Sequence, residues 1–314
     1  MIIMSDITKA TYFMLLSTFS LSITGLLSKH LAQLTPVELL SFVRFAVPSL
    51  MLFAFLMLTR LRAIPSATLK PLVIRGFCIA ACQWCFLTSL QTLSLVEGIV
   101  LFSTGPLFIP LLEKLIFGTA IRSSTILGLL LTFCGVLLMA GDLSHFQFKS
   151  ELLFGLLAGV FNSGSQLSLY RASKSALTPV ETNAWTFLIA GIMILPITLI
   201  SGWQSQGVGA WEMNSLLDWK VIVFVMLLAL LTINTQIFRS KAYQLAESGS
   251  QLAPLIFTNL LFSAIWQVMF FDDRFSYQQI IGIVLIVSAS MFTTLYAKRS
   301  KVKMKKTPLV KSVI

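Results

Sequence analysis

The chain has 314 residues, of which 56% are hydrophobic and 11% charged. A soluble domain carries about 25% charged residues, so a water-facing globule is excluded, and disorder is excluded with it because disorder needs low hydrophobicity. The net charge of +11 comes from 23 Lys and Arg against 12 Asp and Glu, a strong bias among so few charges.

A bilayer core about 30 Å thick needs about 20 apolar residues per helix. Ten such runs occur, at 9–29, 36–59, 70–92, 97–117, 122–141, 151–171, 179–201, 218–238, 249–271 and 275–297. They predict an all-α integral membrane protein. Lys9 precedes a full-length apolar stretch with no cleavage pattern behind it, so the first run reads as a span rather than a signal peptide. Gln91 to Glu97 separates the third and fourth spans, and Phe271-Asp272-Asp273-Arg274 marks a tight turn between the ninth and tenth.

Loop charges set orientation. With the N-terminus inside, Lys9, Arg60, Arg62, Lys70, Arg75, Lys114, Arg122, Arg171, Lys174, Arg239, Lys241 and the seven basic residues of the tail fall on the cytoplasmic side. Lys29, Lys149, Lys220 and Arg274 fall outside, and Arg44 lies within the second span. A split of 18 to 4 places both termini in the cytoplasm and requires an even number of spans. The tail (298–314) holds Lys298, Arg299, Lys301, Lys303, Lys305, Lys306 and Lys311 without an acid. It reads as a topology anchor that also attracts anionic lipid. No aromatic interleaving points to nucleic acid.

The chain repeats itself. Leu34-Thr35-Pro36-Val37-Glu38 recurs as Leu177-Thr178-Pro179-Val180-Glu181, each where a helix begins. Ser20 and Ser22 match Ser163 and Ser165, and Gly128 matches Gly282. Two five-helix repeats follow, 1–145 and 146–297, ahead of the tail. Five is odd, so the second repeat inserts upside down. Inverted repeats are the architecture of secondary transporters, which rock around a midplane site.

Several stretches resemble the EamA-type transporters of the drug/metabolite transporter superfamily. They are Lys29 with Pro36 and Arg44; Gly105-Pro106-Leu107 followed by Gly128; and Gln251-Leu252-Ala253-Pro254-Leu255, Phe270-Phe271-Asp272-Asp273 and Ile281-Gly282. The resemblance covers nearly the whole chain. Where that family often carries Gly-Glu, this chain has Gly118-Thr119 and Asp272-Asp273. The resemblance implies an inner-membrane carrier of a small organic solute, without fixing direction.

Arg44 is the sharpest single residue. A charge inside a span is costly, which marks it for function by default, and its planar fork suits a carboxylate or phosphate. The competing reading is a structural pair with Glu38 or Glu97. Its counterpart in the second half is Phe187. Further polar side chains interrupt the spans: Trp84, Thr88 and Gln91; Asn162 and Gln166; Asn234 and Gln236; Asn259, Ser263 and Trp266. Each singly reads as helix–helix contact. Together they point to an aromatic, amide-lined cavity. Pro106 and Pro254 are hinge candidates, as breaks in spans expose carbonyls to a cavity. Gly155-x-x-x-Gly159 permits close packing within the bundle or a homodimer. Cys78, Cys82 and Cys85 share a face and read as small apolar packing, with no metal site or cofactor implied.

The expected function is secondary transport, by alternating access, of an amino acid or an amino-acid derivative such as S-adenosylmethionine. The alternative is a nucleotide-sugar or drug efflux carrier of the same superfamily. No HExxH, GxSxG, GxGD or P-loop motif marks an enzyme or a pump. A non-transporting scaffold is the remaining reading.

Overall fold

The computed structural model describes residues 6–59, 61–117, 126–128, 130–131, 134–135, 138, 150–204, 219–246, 252, 255–256, 258–271, 276–278 and 280–289. Its helices are α1 (Asp6–Leu34), α2 (Val37–Leu58), α3 (Ser66–Leu90), α4 (Leu95–Phe102) and α5 (Gly105–Phe117) from the first half. From the second come α6 (Ser150–Ala172), α7 (Pro179–Gln204), α8 (Trp219–Leu245), α9 (Thr258–Phe270) and α10 (Ile280–Ala289). Six of them, α1 to α3 and α6 to α8, are long and apolar enough to cross a membrane. Their outward faces carry exposed Leu50, Met57, Leu58, Ile192, Leu199, Val223 and Leu230, which suits lipid and not water.

The packing of these helices carries the repeat. α1 lies on α8, α2 on α7, α3 on α6 and α4 on α9. Exchanging the halves turns the α3–α6 pair into α8–α1 and leaves α2–α7 and α4–α9 unchanged. It also turns α3–α7 into α8–α2 and the packing of α4 and α5 on α6 into that of α9 on α1, and each of these contacts exists. The fold is therefore ten helical spans in two inverted five-helix repeats. At the crossing of the fifth and tenth spans a Cβ on Gly135 would meet the Gly282 carbonyl at 2.9 Å, so only glycine fits there.

Local chemistry explains the helix starts. Ser94 caps α4 in a capping box: its hydroxyl accepts from the Glu97 amide, and the Glu97 carboxylate accepts from the Ser94 amide. Thr178 and Glu181 do the same for α7, at 2.8 and 3.2 Å. The first copy of that motif behaves differently. Thr35 donates back to the Leu31 carbonyl, and Pro36 gives α2 no side-chain cap. One motif thus finishes a helix in one half and starts a helix in the other.

Two expectations need correction. The fourth span is not one helix: it stops at Phe102 and restarts at Gly105. Pro106 is the second residue of α5, where a missing N–H costs nothing, rather than a kink inside a continuous helix. The break rests on α6, where the Ser163 hydroxyl donates to the Gly105 carbonyl at 2.6 Å. A Cβ on Gly159 would lie 2.6 Å from Thr104 Oγ1 and 2.9 Å from the Leu101 carbonyl, so the Gly155-x-x-x-Gly159 stripe seats this break inside the bundle. Pro254 lies outside the described residues, as do Asp272, Asp273 and the tail.

The second correction concerns charge. Lys29, Arg75 and Arg239 are not loop residues. They are buried in the bundle, with 6%, 0% and 3% exposure. Lys29 donates to the carbonyls of Leu90 and Leu93, closing the end of α3, where the helix dipole favours a cation. Without these three the loop count stands at 16 to 3, and the bias survives.

Candidate substrate-binding cavity

Three helices turn polar stripes of one periodicity toward a common centre. α3 presents Ile79, Cys82, Gln83 and Phe86; α6 presents Asn162, Ser165, Gln166 and Leu169; α8 presents Thr232, Gln236 and Arg239. Spacings of three, four and seven residues keep each set on one helical face. α2 adds Arg44 and Phe45, α1 Leu21 and Gly25, α4 Ile99 and Phe102, and α9 Asn259. The two halves thus enclose one cavity. It measures about 60 Å³, room for a few waters. Admitting a larger solute requires the halves to part.

Apolar clusters adjoin it on two sides. One, beside the start of α1, holds Ala10, Met14, Leu169, Tyr243, Ala246 and Ile256. The other, beside the α3–α4 turn, holds Phe86, Leu90, Leu93, Leu95 and Ile99.

The lining mixes apolar side chains with polar ones, and the polar ones are underused. Gln166 donates to Asn162 Oδ1 at 3.3 Å and accepts from the Tyr243 hydroxyl at 2.9 Å. Gln83 Nε2, Thr232 Oγ1, Asn259 Oδ1 and Arg239 Nε and Nη2 are buried with no hydrogen-bond partner among the described residues. Buried polar atoms are nearly always paired, so these atoms are open to a bound solute.

Three guanidiniums surround the site. Arg44 donates to Ser28 Oγ. Arg75 donates to Asn183 Oδ1 at 2.8 Å and to Thr186 Oγ1 and Gln236 Oε1 at 3.2 Å. Asn183 in turn donates to Ser240 Oγ at 3.0 Å, which fixes its amide. None of the three has an Asp or Glu within 4.0 Å among the described residues. Neither carboxylate named as a partner for Arg44 pairs with it: Glu97 serves its capping box, and Glu38 lies in the first turn of α2.

Of the residues singled out from sequence, Arg44, Asn162, Gln166, Gln236 and Asn259 line the cavity. The others lie away from it. Trp84 packs edge-on against Phe154 between helices. Thr88 donates to the Trp84 carbonyl at 2.9 Å, and Gln91 is exposed beyond the end of α3. Asn234 donates to Ser20 Oγ and Trp266 to Ser22 Oγ, both at 3.0 Å, as contacts between helices. Gln83, Thr232 and Arg239 were missed. The signal for Gln83 was its spacing from Ile79 and Phe86, one residue and about 100° away from the face anchored on Trp84.

A polar cavity enclosed between inverted repeats, each made of membrane-spanning helices, defines a secondary carrier. The sequence matches the EamA-like transporter family twice, over residues 8–141 and 149–295, and the chain belongs to that family, within the drug/metabolite transporter superfamily. It is a transporter of a small molecule, not an enzyme. It is 24% identical over 274 residues to the pseudopaline exporter CntI of Pseudomonas aeruginosa, covering 87% of this chain and 92% of that one. It is 23% identical over 288 residues to the uncharacterized transporter YetK of Bacillus subtilis, covering 86% and 82%. A crystal structure with 15% identity superposes with a TM-score of 0.58 over 94% of this chain and 98% of its own, a likeness of fold alone.

Proposed function

We propose that the chain carries an amino acid or amino-acid derivative bearing free acid across the inner membrane by alternating access, with both termini in the cytoplasm. The observation that supports this reading most is the pair of arginines, Arg44 and Arg239, in a cavity that also presents five side-chain amides. Guanidinium binds carboxylate bidentately, and amides satisfy the remaining polar atoms of an amino-acid skeleton. An S-adenosylmethionine-like sulfonium is disfavoured, because no acid lines the described cavity. A cationic drug is disfavoured for the same reason. A nucleotide sugar is the second reading, since its diphosphate suits the same arginines. The likeness to CntI, an exporter of pseudopaline, supports an exported metabolite. The seven Lys and Arg of the tail, without an acid, suit attraction to anionic lipid, and the repeats divide near residue 146.

Counterflow in proteoliposomes against a panel of amino acids, acidic derivatives, nucleotide sugars and cationic drugs tests this. Uptake of an acidic amino-acid derivative is expected. Movement of the cationic drugs alone, or of nothing in the panel, overturns the reading.

A further inference from the structure

We infer that the solute bound in this cavity is a dianion, one acid group held by Arg44 and a second, separate one by Arg239, with Arg75 positioning the second site. This rests on the carrier reading above and names its substrate class.

The two cations enter from different helices and from opposite faces. Arg44 lies seven residues into α2, about 10 Å along its axis. Arg239 lies six residues before the end of α8, also about 9 Å. α2 starts on the face where α1 ends, whereas α8 ends on the opposite face. Two cations that enter one cavity from opposite faces offer separate anchors to a solute with two acid groups.

Their burial makes the charges meaningful. Each guanidinium is in the bundle, with 7% and 3% exposure and no described carboxylate within 4.0 Å. Uncompensated buried charge is heavily penalised, and a fold retains two such groups in one cavity when an incoming anion supplies the compensation. Arg239 is the clearer case. Nε and Nη2 have no partner among the described residues, so its fork is unspent. Arg44 spends one bond on Ser28.

Arg75 acts differently. It donates to three neutral oxygens, which hold it against Asn183, Thr186 and Gln236, while its Nε has no partner among the described residues. By accepting from Arg75, Gln236 Oε1 is fixed, and the Gln236 amide nitrogen is left for the cavity. Arg75 thus adds positive potential beside Arg239 and orients a donor there.

The test uses purified full-length protein and an isosteric pair. N-acetylglutamate has two carboxylates, and N-acetylglutamine has one with the same shape. Binding is read by calorimetry, with inorganic pyrophosphate as the diphosphate arm. Wild type is expected to bind at least one dianion, and N-acetylglutamate at least tenfold more tightly than N-acetylglutamine if the source is a dicarboxylate. Preference for pyrophosphate over phosphate assigns a diphosphate instead. Binding of neither dianion overturns the proposal, as does equal affinity within both pairs. R239Q and R44Q should each erase the preference, and R239K should retain part of it. Should those variants misfold, the wild-type pairs still decide. Glu247 lies outside the described residues, and E247Q should keep the preference. An E247Q protein whose preference changes as R239Q's does would make Glu247 the counter-charge and overturn the second site. Counterflow of a zwitterion with no response to either dianion overturns the dianion and leaves the carrier standing. Dianion binding without counterflow of any solute sinks the carrier reading instead.

Discussion

Arg75 and Arg239 share one bundle and face opposite consequences on removal. Arg75 satisfies Asn183, Thr186 and Gln236, so Arg75→Gln strands several buried oxygens. Charge-assisted bonds of this kind contribute about 1.5–3 kcal/mol each, and the variant should unfold at a lower temperature in detergent. Arg239 has no such bonds among the described residues. Arg239→Gln relieves an unpaired buried charge and should leave the melting midpoint unchanged or raised while binding is lost. A drop for Arg239→Gln as large as that for Arg75→Gln would show a structural role. Arg44 was legible in the sequence because apolar residues flank it over a full span. Arg239 was not, because the apolar run of the eighth span stops at 238, whereas α8 continues to Leu245. Arg75 lies within the third run, 70–92, but near its cytoplasmic end, where a cation reads as orientation charge; the structure buries it completely.

At the level of elements, α4 and α5 show where sequence patterning stops. Gly105-Pro106 reads equally as an interior kink or as the start of a new helix. What decides is α6, whose Gly159 admits the Leu101 carbonyl and the Thr104 hydroxyl. That is a tertiary contact and leaves no periodic signal. Gly159→Ala should cost about 1–3 kcal/mol by overpacking and slow transport, measured by thermal unfolding and counterflow. Gly191→Ala, where the nearest neighbour is an ordinary 3.8 Å contact, should cost little. The repeated Thr-Pro-Val-Glu motif separates the same way. Thr178→Val removes a capping hydroxyl and should cost about 1 kcal/mol. Thr35→Val removes only a bond back to its own helix and should cost less. Equal losses would mean that both copies cap. The tandem motif itself was readable, and so were the helix starts it marks. That one copy serves the preceding helix was not.

For the whole molecule, composition and parity were enough to give ten spans in inverted halves, because each depends on the sum of many residues. The cavity depended on a few side-chain directions, and a one-residue error of face lost Gln83. The inside-positive bias of 16 to 3 predicts that a cysteine placed in the 61–65 loop is labelled only after the membrane is permeabilised. Labelling from outside in intact cells would reverse the orientation. The halves match in their backbone contacts, but the cations do not follow that symmetry: Arg44 stands opposite Phe187 in the repeat. These fixed charges sit where the membrane voltage falls, and each elementary charge crossing 100 mV is worth about 2.3 kcal/mol. Reorientation of the empty carrier then moves positive charge through the field, while the carrier filled by a dianion moves two charges fewer. Turnover should therefore respond to a potassium-diffusion potential at the return of the empty carrier, so that exchange is voltage-insensitive and net transport is not.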